Sequence, residues 1–244
     1  MELDFLQTDK SIQNETNSVG FAGALESDIY DFVVDMAYFD KSRGGANSLN
    51  LVLKTKNGEM LKNQVWITSG TAKGCKNYYE RDGVKSYLPG FNQANAMCML
   101  SIGKEISALK PEEKKIKVFS FASMKEELVD KMVLTELLGA EISCGVIKQI
   151  VDKNVKNDAG EYVPSGKTRN ENEIDKCFRT SDGMTVAELR DGSKNPEFKE
   201  KWLEKNKGET KDKSSGVATP SVPGAATSGA APETAGDDLF DEDD

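Results

Sequence analysis

Two neighbouring stretches of apolar–polar alternation constrain the fold of this chain more than any other feature. Every second residue from Tyr30 to Tyr38 is apolar or aromatic, and Leu49, Leu51 and Leu53 repeat the same spacing after a glycine-rich turn. Successive side chains of a β-strand point to opposite faces, so a period of two predicts two half-buried strands.

The dipeptide Asn57-Gly58 follows the second strand and is typical of a β-hairpin turn. A two-residue loop would place Leu53 opposite Lys62, whereas a three-residue loop over 56–58 places it opposite Leu61. Because a one-residue slip inverts every side chain, the apolar match favours the longer loop, with Gly58 in a left-handed bulge position. On the other face this register groups Lys62, Gln64 and Trp66.

The rest of the chain predicts further strands, one or two helices and a disordered end. We expect a long polar loop over 69–90, a helix over 91–102 capped near Asn92, and a turn at 154–160. A second long loop follows around 165–167, and a short helix begins at Pro196. The predicted domains are an N-terminal arm (1–27), a binding domain (28–208), a linker (209–236) and an acidic tail (237–244).

Charge is distributed unevenly between the body and the C-terminal end. The formal net charge is -9, but residues 209–244 hold nine acids and two lysines, which leaves the first 208 residues at -2. The segment 214–236 is dominated by Ser, Gly, Ala, Thr and Pro, and it cannot bury enough apolar surface to offset its ordering entropy. A near-neutral body can still bind phosphates where its cations are grouped.

Composition argues against several classes of protein. The chain has no histidine, the commonest general base and metal ligand. Its four cysteines, Cys75, Cys98, Cys144 and Cys177, form no C-x-x-C pair, which argues against a zinc site and favours reduced, partly buried thiols. Since no apolar run approaches the roughly 20 residues of a membrane span, we expect a cytoplasmic protein without metal or cofactor.

A basic and aromatic stretch is the strongest candidate site. Residues 54–85 hold seven cations and three acids, with Trp66, Tyr78, Tyr79 and Tyr87 in or beside the stretch. Cations follow a nucleic-acid backbone while ring faces accept unstacked bases. We expect these four rings to stack bases, and we expect phosphate contacts from Lys62, Lys73, Lys76, Arg81 and Lys85.

Two weaker features leave alternatives open. Residues 148–179 carry seven cations but also six acids, which is typical of a solvated hairpin. Asp31 and Asp35 share one face of the first strand, and clustered carboxylates occur in two-metal nucleases, although a solvated strand face is the commoner explanation. The chain contains no phosphate loop of the G-x-x-x-x-G-K type, no nucleophile elbow and no H-E-x-x-H pattern, so we expect no enzymatic activity.

The tail combines phosphate-mimicking acids with an apolar anchor. We predict that it screens the protein's own basic groove and docks on partner proteins. Its eight residues are Asp237, Asp238, Leu239, Phe240, Asp241, Glu242, Asp243 and Asp244.

Short motifs along the body resemble those of phage single-stranded-DNA-binding proteins from replication and recombination genes. They are Ala37-Tyr38-Phe39-Asp40-Lys41-Ser42, Gly44-Gly45-Ala46, Leu49-Asn50-Leu51, Thr68-Ser69-Gly70, Tyr78-Tyr79, Leu88-Pro89-Gly90-Phe91, Asn172-Glu173-Ile174, Cys177-Phe178, Thr185-Val186-Ala187-Glu188 and Phe198-Lys199-Glu200-Lys201-Trp202. The flexible acidic end is also similar to that of bacterial single-strand binders, although those usually finish on an apolar residue and this tail runs four acids past Phe240.

The resemblance implies a mainly β, OB-like Greek-key barrel, here with extra strands. It also implies sequence-independent binding of single-stranded DNA in the cytoplasm of an infected bacterium. The expected partners are phage replication proteins, namely polymerase and helicase or primase, and a homodimer stays open. Two other functions remain as alternatives: an adaptor acting mainly through protein contacts, and a metal-dependent nuclease.

Overall fold

The computed structural model describes residues 23–120, 123–156 and 162–215. Its strands are β1 (Asp28–Lys41), β2 (Asn47–Thr55), β3 (Met60–Trp66), β4 (Tyr78–Arg81), β5 (Val84–Tyr87), β6 (Glu112–Ser120), β7 (Lys125–Val133), β8 (Glu141–Lys156), β9 (Tyr162–Phe178) and β10 (Thr210–Asp212). Its α-helices are α1 (Pro89–Ile102), α2 (Val186–Arg190) and α3 (Glu197–Asn206). The predicted mainly β class is therefore confirmed.

Strand β1 organises an eight-stranded sheet within the described residues. One edge of β1 pairs with β2, which pairs in turn with β3. The other edge of β1 has two partners. The first half of β1 pairs with β8, whereas Tyr38 and Phe39 pair with β7. All of these pairings are antiparallel, as are β6 with β7 and β8 with β9, whereas β10 runs parallel to β8.

The predicted register of the β2–β3 hairpin is confirmed. Leu53 lies opposite Leu61 and Leu49 opposite Val65, and all four are buried. Gly58 has a φ of +88°, the left-handed conformation that a bulged three-residue loop requires. The apolar match therefore fixes which side chains of β3 enter the core and which remain outside.

The core lies between the inner sheet face and helix α1. Phe32, Val34 and Leu51 from the sheet join Met97 and Cys98 from the helix in one buried cluster. Helix α1 begins at Pro89, two residues earlier than predicted, because proline is favoured at the first helical position, where no amide hydrogen bond is lost.

Three of the four cysteines are buried free thiols, as expected. Cys144 and Cys177 are direct neighbours across β8 and β9. Burial raises the pKa of the Cys98 thiol to about 12, so this group is protonated at neutral pH. These side chains behave as small apolar core residues.

Two predicted loops are wrong, and most of the predicted turn at 154–160 lies outside the described residues. The segment around Ser165-Gly166-Lys167 belongs to the long strand β9, and residues 154–156 continue β8, while 157–161 lie outside the described residues. The segment 69–90 contains a hairpin, described below. Polar strands of this kind escape a pattern search because both of their faces contact solvent.

Both ends of the folded body are attached to the part of the sheet formed by β8 and β9. Leu25, predicted as part of a flexible arm, is only 3% exposed, and its amide nitrogen donates to Asn172 Oδ1 at 2.7 Å. Residues 210–212, at the start of the predicted linker, form β10. The remaining predicted linker and the acidic tail lie outside the described residues, apart from a short stretch up to Ser215.

Candidate nucleic-acid interface

A small separate hairpin, β4–β5, holds most of the predicted site. Arg81 pairs with Val84 across a two-residue turn, Asp82-Gly83, whose φ angles are +53° and +78°. Two consecutive positive φ angles are the mark of a type I′ turn, the commonest tight hairpin connection. The dipeptide Asp82-Gly83 was therefore the available sequence signal for this hairpin.

Rings and cations meet on one face of this hairpin. Tyr78 pairs directly with Tyr87, and Lys85 lies on the same face because it is two residues before Tyr87. The ammonium groups of Lys76 and Lys85 lie 5.7 and 5.1 Å from the centre of the Tyr78 ring. Tyr87 is 55% exposed, so a planar ligand can reach it.

Helix α1 adds a ring that the sequence reasoning missed. The rings of Phe91 and Tyr87 have centres 4.8 Å apart, with their planes inclined by 31°. Phe91 is the third residue of α1, so the helix start positions it beside the hairpin. A motif of basic and aromatic residues ending at Tyr87 could not include it, since this pairing arises from tertiary packing.

The start of α1 also fixes the end of β3. A Cβ atom placed on Gly90 would lie 2.2 Å from the carbonyl oxygen of Trp66, so only glycine allows this approach. The backbone of Trp66 is thereby held next to the residue that precedes Phe91. This contact places the end of β3 beside the start of α1, which carries Phe91.

The loop between β1 and β2 anchors the base of the hairpin. The amide of Thr71 donates to the Gly44 carbonyl oxygen at 2.8 Å, and a Cβ on Gly70 would lie only 2.9 Å from that oxygen. The Cys75 thiol lies 3.5 Å from the Gly45 carbonyl oxygen. These contacts tie the hairpin to the sheet although the two share no strand pairing.

Strand β3 continues the polar surface along the main sheet. Lys62 and Gln64 are exposed and Trp66 is half-buried, all on the face opposite the core. The side-chain amide of Gln64 donates to Ser48 Oγ at 3.1 Å, which ties it to the neighbouring strand β2. This row was predicted from the register and is confirmed in position.

The structure divides the nine predicted contact residues into groups. Lys76, Tyr78, Lys85 and Tyr87 come together on one face of the hairpin. Tyr79 and Arg81 point to its opposite face, where Arg81 faces the carboxylate of Asp82 at 3.9 Å. The other three, Lys62, Trp66 and Lys73, lie on β3 and in the short turn after it.

The β8–β9 hairpin forms a second basic element. The Lys156 ammonium lies 5.4 Å from the centre of the exposed Tyr162 ring. Nearer the sheet, a groove of about 1000 Å³ between β3 and this hairpin is lined by Lys62, Lys153 and Arg169, among others. Arg169 is paired with Glu171 at 2.7 Å, which reduces the free positive charge of the groove.

The acids considered for a nuclease site have separate partners. Asp31 accepts a hydrogen bond from Ser143 Oγ at 2.5 Å, and Asp35 lies 2.8 Å from the Lys54 ammonium. Asp35 falls at an irregularity in β1, where the register shifts between Val34 and Met36. Each carboxylate therefore has its own partner within the sheet, and the two do not form one cluster.

Comparison with protein-family models and with curated proteins gives no match for this chain. In the part of the chain that the structure describes, no helix is long and apolar enough to cross a membrane.

Proposed function

We propose that this protein binds single-stranded DNA without sequence preference and without catalysis. The observation that carries the proposal is the shared surface of cations and exposed rings on the β4–β5 hairpin. Lys76 and Lys85 flank Tyr78, and Tyr87 and Phe91 extend the aromatic surface toward α1.

This arrangement suits an unpaired strand better than a duplex. Stacking on a ring needs a base whose face is free, and each stacked base contributes about 1–3 kcal/mol. The lysines gain by releasing counterions from the phosphates, which makes binding depend on salt but little on sequence. Lys62 and Trp66 on β3 offer the same combination of a cation and an aromatic ring to a further part of the bound DNA strand.

The strand order supports the finer proposal of an OB-like barrel. Around the core the neighbours run β3, β2, β1, β8 and β9, and β9 comes close to β3 at the two open edges. In the sequence, helix α1 lies between β3 and β8, which are the third and fourth of these five strands in chain order. The helix of an OB fold occupies the same place. OB folds bind nucleic acid on the outer face of their second and third strands, here β2 and β3.

We further propose that the protein acts in phage DNA replication or recombination, in the cytoplasm of the infected bacterium. The resemblance of its short motifs to those of phage single-strand binders supports this setting. In this proposal the acidic tail, Asp237 to Asp244, competes with DNA for the basic surface. Once displaced by DNA, it recruits replication proteins such as polymerase, helicase or primase.

Titration with oligo-dT, followed by tryptophan fluorescence, tests the DNA-binding proposal. Tyr87→Ala should weaken binding roughly 5- to 150-fold, the equivalent of one lost stack. Tyr79→Ala is the matched control, because Tyr79 is a similarly exposed ring on the opposite face of the same hairpin. Equal effects of the two variants would contradict the assignment of the binding face.

Salt dependence gives a second measure from the same titration. Lys85→Ala should reduce the slope of log affinity against log salt by roughly 0.7, the value for one phosphate contact on a single strand. Lys176→Ala, which removes a cation over the distant Phe198 ring at 5.1 Å, should leave the slope unchanged. A wild-type affinity that does not vary with salt would overturn the proposal.

A further inference from the structure

Strand β6 is an edge of the sheet. Within the described residues it pairs only with β7, so the backbone groups on the other side of residues 112–118 have no described strand opposite them. An exposed edge of nine residues is a template on which another strand can pair.

One face of the β6–β7 hairpin alternates charge with exposed apolar side chains. Across the two strands, Glu113 lies opposite Met132, Lys115 opposite Asp130 and Lys117 opposite Leu128. Leu128 is 62% exposed and Met132 43% exposed.

We propose that β6 pairs with β6 of a second copy of this chain, antiparallel and about a two-fold axis at Lys115. A two-fold interface places the same patch of both subunits in contact. In this register Glu113 lies opposite Lys117 of the second copy, and Lys117 lies opposite Glu113 of the second copy.

Charge complementarity and the number of paired residues together favour this register. The row across the joined sheets runs Met132, Glu113, then Lys117 and Leu128 of the second copy, so an ion pair is flanked by apolar groups on both sides. At the axis each Lys115 already faces Asp130 of its own hairpin, which offsets the repulsion between the two lysines. Oppositely charged cross-strand pairs stabilise a sheet and like-charged pairs destabilise it.

The neighbouring registers are poorer. Moving the axis to Ile116 places Lys115 opposite Lys117 of the second copy, twice, and leaves Glu113 without a lysine. Moving it to Lys114 places Glu113 opposite Lys115 of the second copy, but pairs only five residues instead of seven, because β6 begins at Glu112. A register whose axis falls between two residues would place inward-facing side chains of one copy opposite outward-facing side chains of the other.

Cysteine crosslinking of the full-length protein, without DNA, tests the axis. The half-exposed Cys75 is replaced by Ser, Lys115→Cys is introduced, and copper phenanthroline is added as oxidant. Residues paired across a two-fold axis have Cα atoms about 4.5–5.5 Å apart, which suits a disulfide. We expect a covalent dimer from Lys115→Cys and at least tenfold less from Leu128→Cys, a control position on β7 that is also exposed.

A charge exchange tests the register independently of crosslinking. In sedimentation velocity, Glu113→Lys and Lys117→Glu should each weaken dimerisation at least tenfold, and the double variant should restore it. Neither change disturbs an ion pair within the hairpin, since both residues face apolar partners there. A wild-type monomer at all concentrations, equal crosslinking by the two cysteine variants, or a double variant as weak as the singles would overturn the proposal.

Discussion

At the scale of single residues, Gly90 controls how the candidate interface is assembled. Its missing side chain lets helix α1 rest against the backbone of Trp66, which brings the end of β3 next to Phe91. The neighbouring atom is a backbone carbonyl oxygen rather than the end of a flexible side chain. An added methyl group would therefore have to move the helix or the strand.

We predict that Gly90→Ala destabilises the protein by about 1–3 kcal/mol, the range for overpacking a buried contact. Alanine normally stabilises a helix by about 1 kcal/mol relative to glycine, so a net loss would identify the clash as the dominant effect. Urea unfolding measures the difference. Gly23→Ala is the control, since a Cβ there meets nothing within 4 Å; a stabilised Gly90→Ala would contradict the argument.

Glu188 links two helices through one carboxylate. Its side chain accepts hydrogen bonds from the Thr185 amide at 2.8 Å, in a capping box, and from the Phe198 amide at 2.8 Å. Burial opposes ionisation, but hydrogen bonds from the backbone amides of Thr185, Phe198 and Glu197 and from the Thr185 hydroxyl together outweigh it, and the pKa of Glu188 is lowered. The ionised form therefore stabilises the fold.

We predict that Glu188→Gln lowers stability at pH 7 by about 1 kcal/mol, the typical value for a helix cap. Because the folded-state pKa is below the unfolded value of about 4.3, this stabilisation is complete above that pH. It disappears as the pH falls through the folded-state pKa. Thermal unfolding at pH 7 and pH 3 should show the gap between wild type and variant closing; a gap independent of pH would count against it.

At the scale of elements, the apolar pattern of the sequence predicts those features of the fold that packing of the core determines. The β2–β3 register follows from matching Leu53 with Leu61, since one wrong step would expose every leucine. The grouping of Tyr78 with Tyr87 in the candidate interface was also predictable, because the two residues are close in sequence. Phe91 was not, because its place beside Tyr87 depends on how α1 packs.

Elements whose side chains contact solvent on both faces were missed for the same physical reason. In β4–β5 most residues are exposed, and in β9 the segment from Gly166 to Asn170 is exposed throughout. Such strands are specified by turns and by backbone pairing with a neighbour. The turn Asp82-Gly83 indicated the β4–β5 hairpin. Strand β9, in contrast, depends on pairing with β8, which lies beside it along its whole length.

Strand β10 ties the C-terminal end of the body to its beginning. Ser27 Oγ donates to the Glu209 carbonyl oxygen at 2.5 Å and accepts from the Lys148 amide at 2.8 Å. The Lys213 amide donates to the Ile150 carbonyl oxygen at 2.9 Å, beyond the end of β10. The folded body therefore extends a few residues into the segment whose composition predicts a linker.

We predict that a chain ending at Gly208 is less stable than one ending at Ser215 by about 1–3 kcal/mol. The shorter chain loses the parallel β10–β8 pairing and leaves the buried Ser27 hydroxyl without its acceptor. Urea unfolding of both chains beside the full-length protein measures this. Equal midpoints for the two truncated chains would show that β10 contributes nothing.

At the scale of the whole molecule, charge separates the body from its end. The tail from Asp237 to Asp244 carries six acids, and removing it takes the formal net charge from -9 to -3. The cations that the tail would meet, such as Lys76 and Lys85, are the ones proposed to contact phosphates. Tail and DNA are therefore competitors for one surface in the proposed mechanism.

We predict that deleting residues 237–244 tightens oligo-dT binding several-fold at low salt. The gain should shrink as salt rises, because the Debye length falls from about 30 Å at 0.01 M to about 8 Å at 0.15 M and screens the tail from the surface. A chain with Leu239→Ala and Phe240→Ala keeps all six acids and separates charge from apolar anchoring. If that chain binds like the deletion, anchoring holds the tail in place; if it binds like wild type, charge alone does. Unchanged affinity after the deletion, at every salt concentration, would exclude competition.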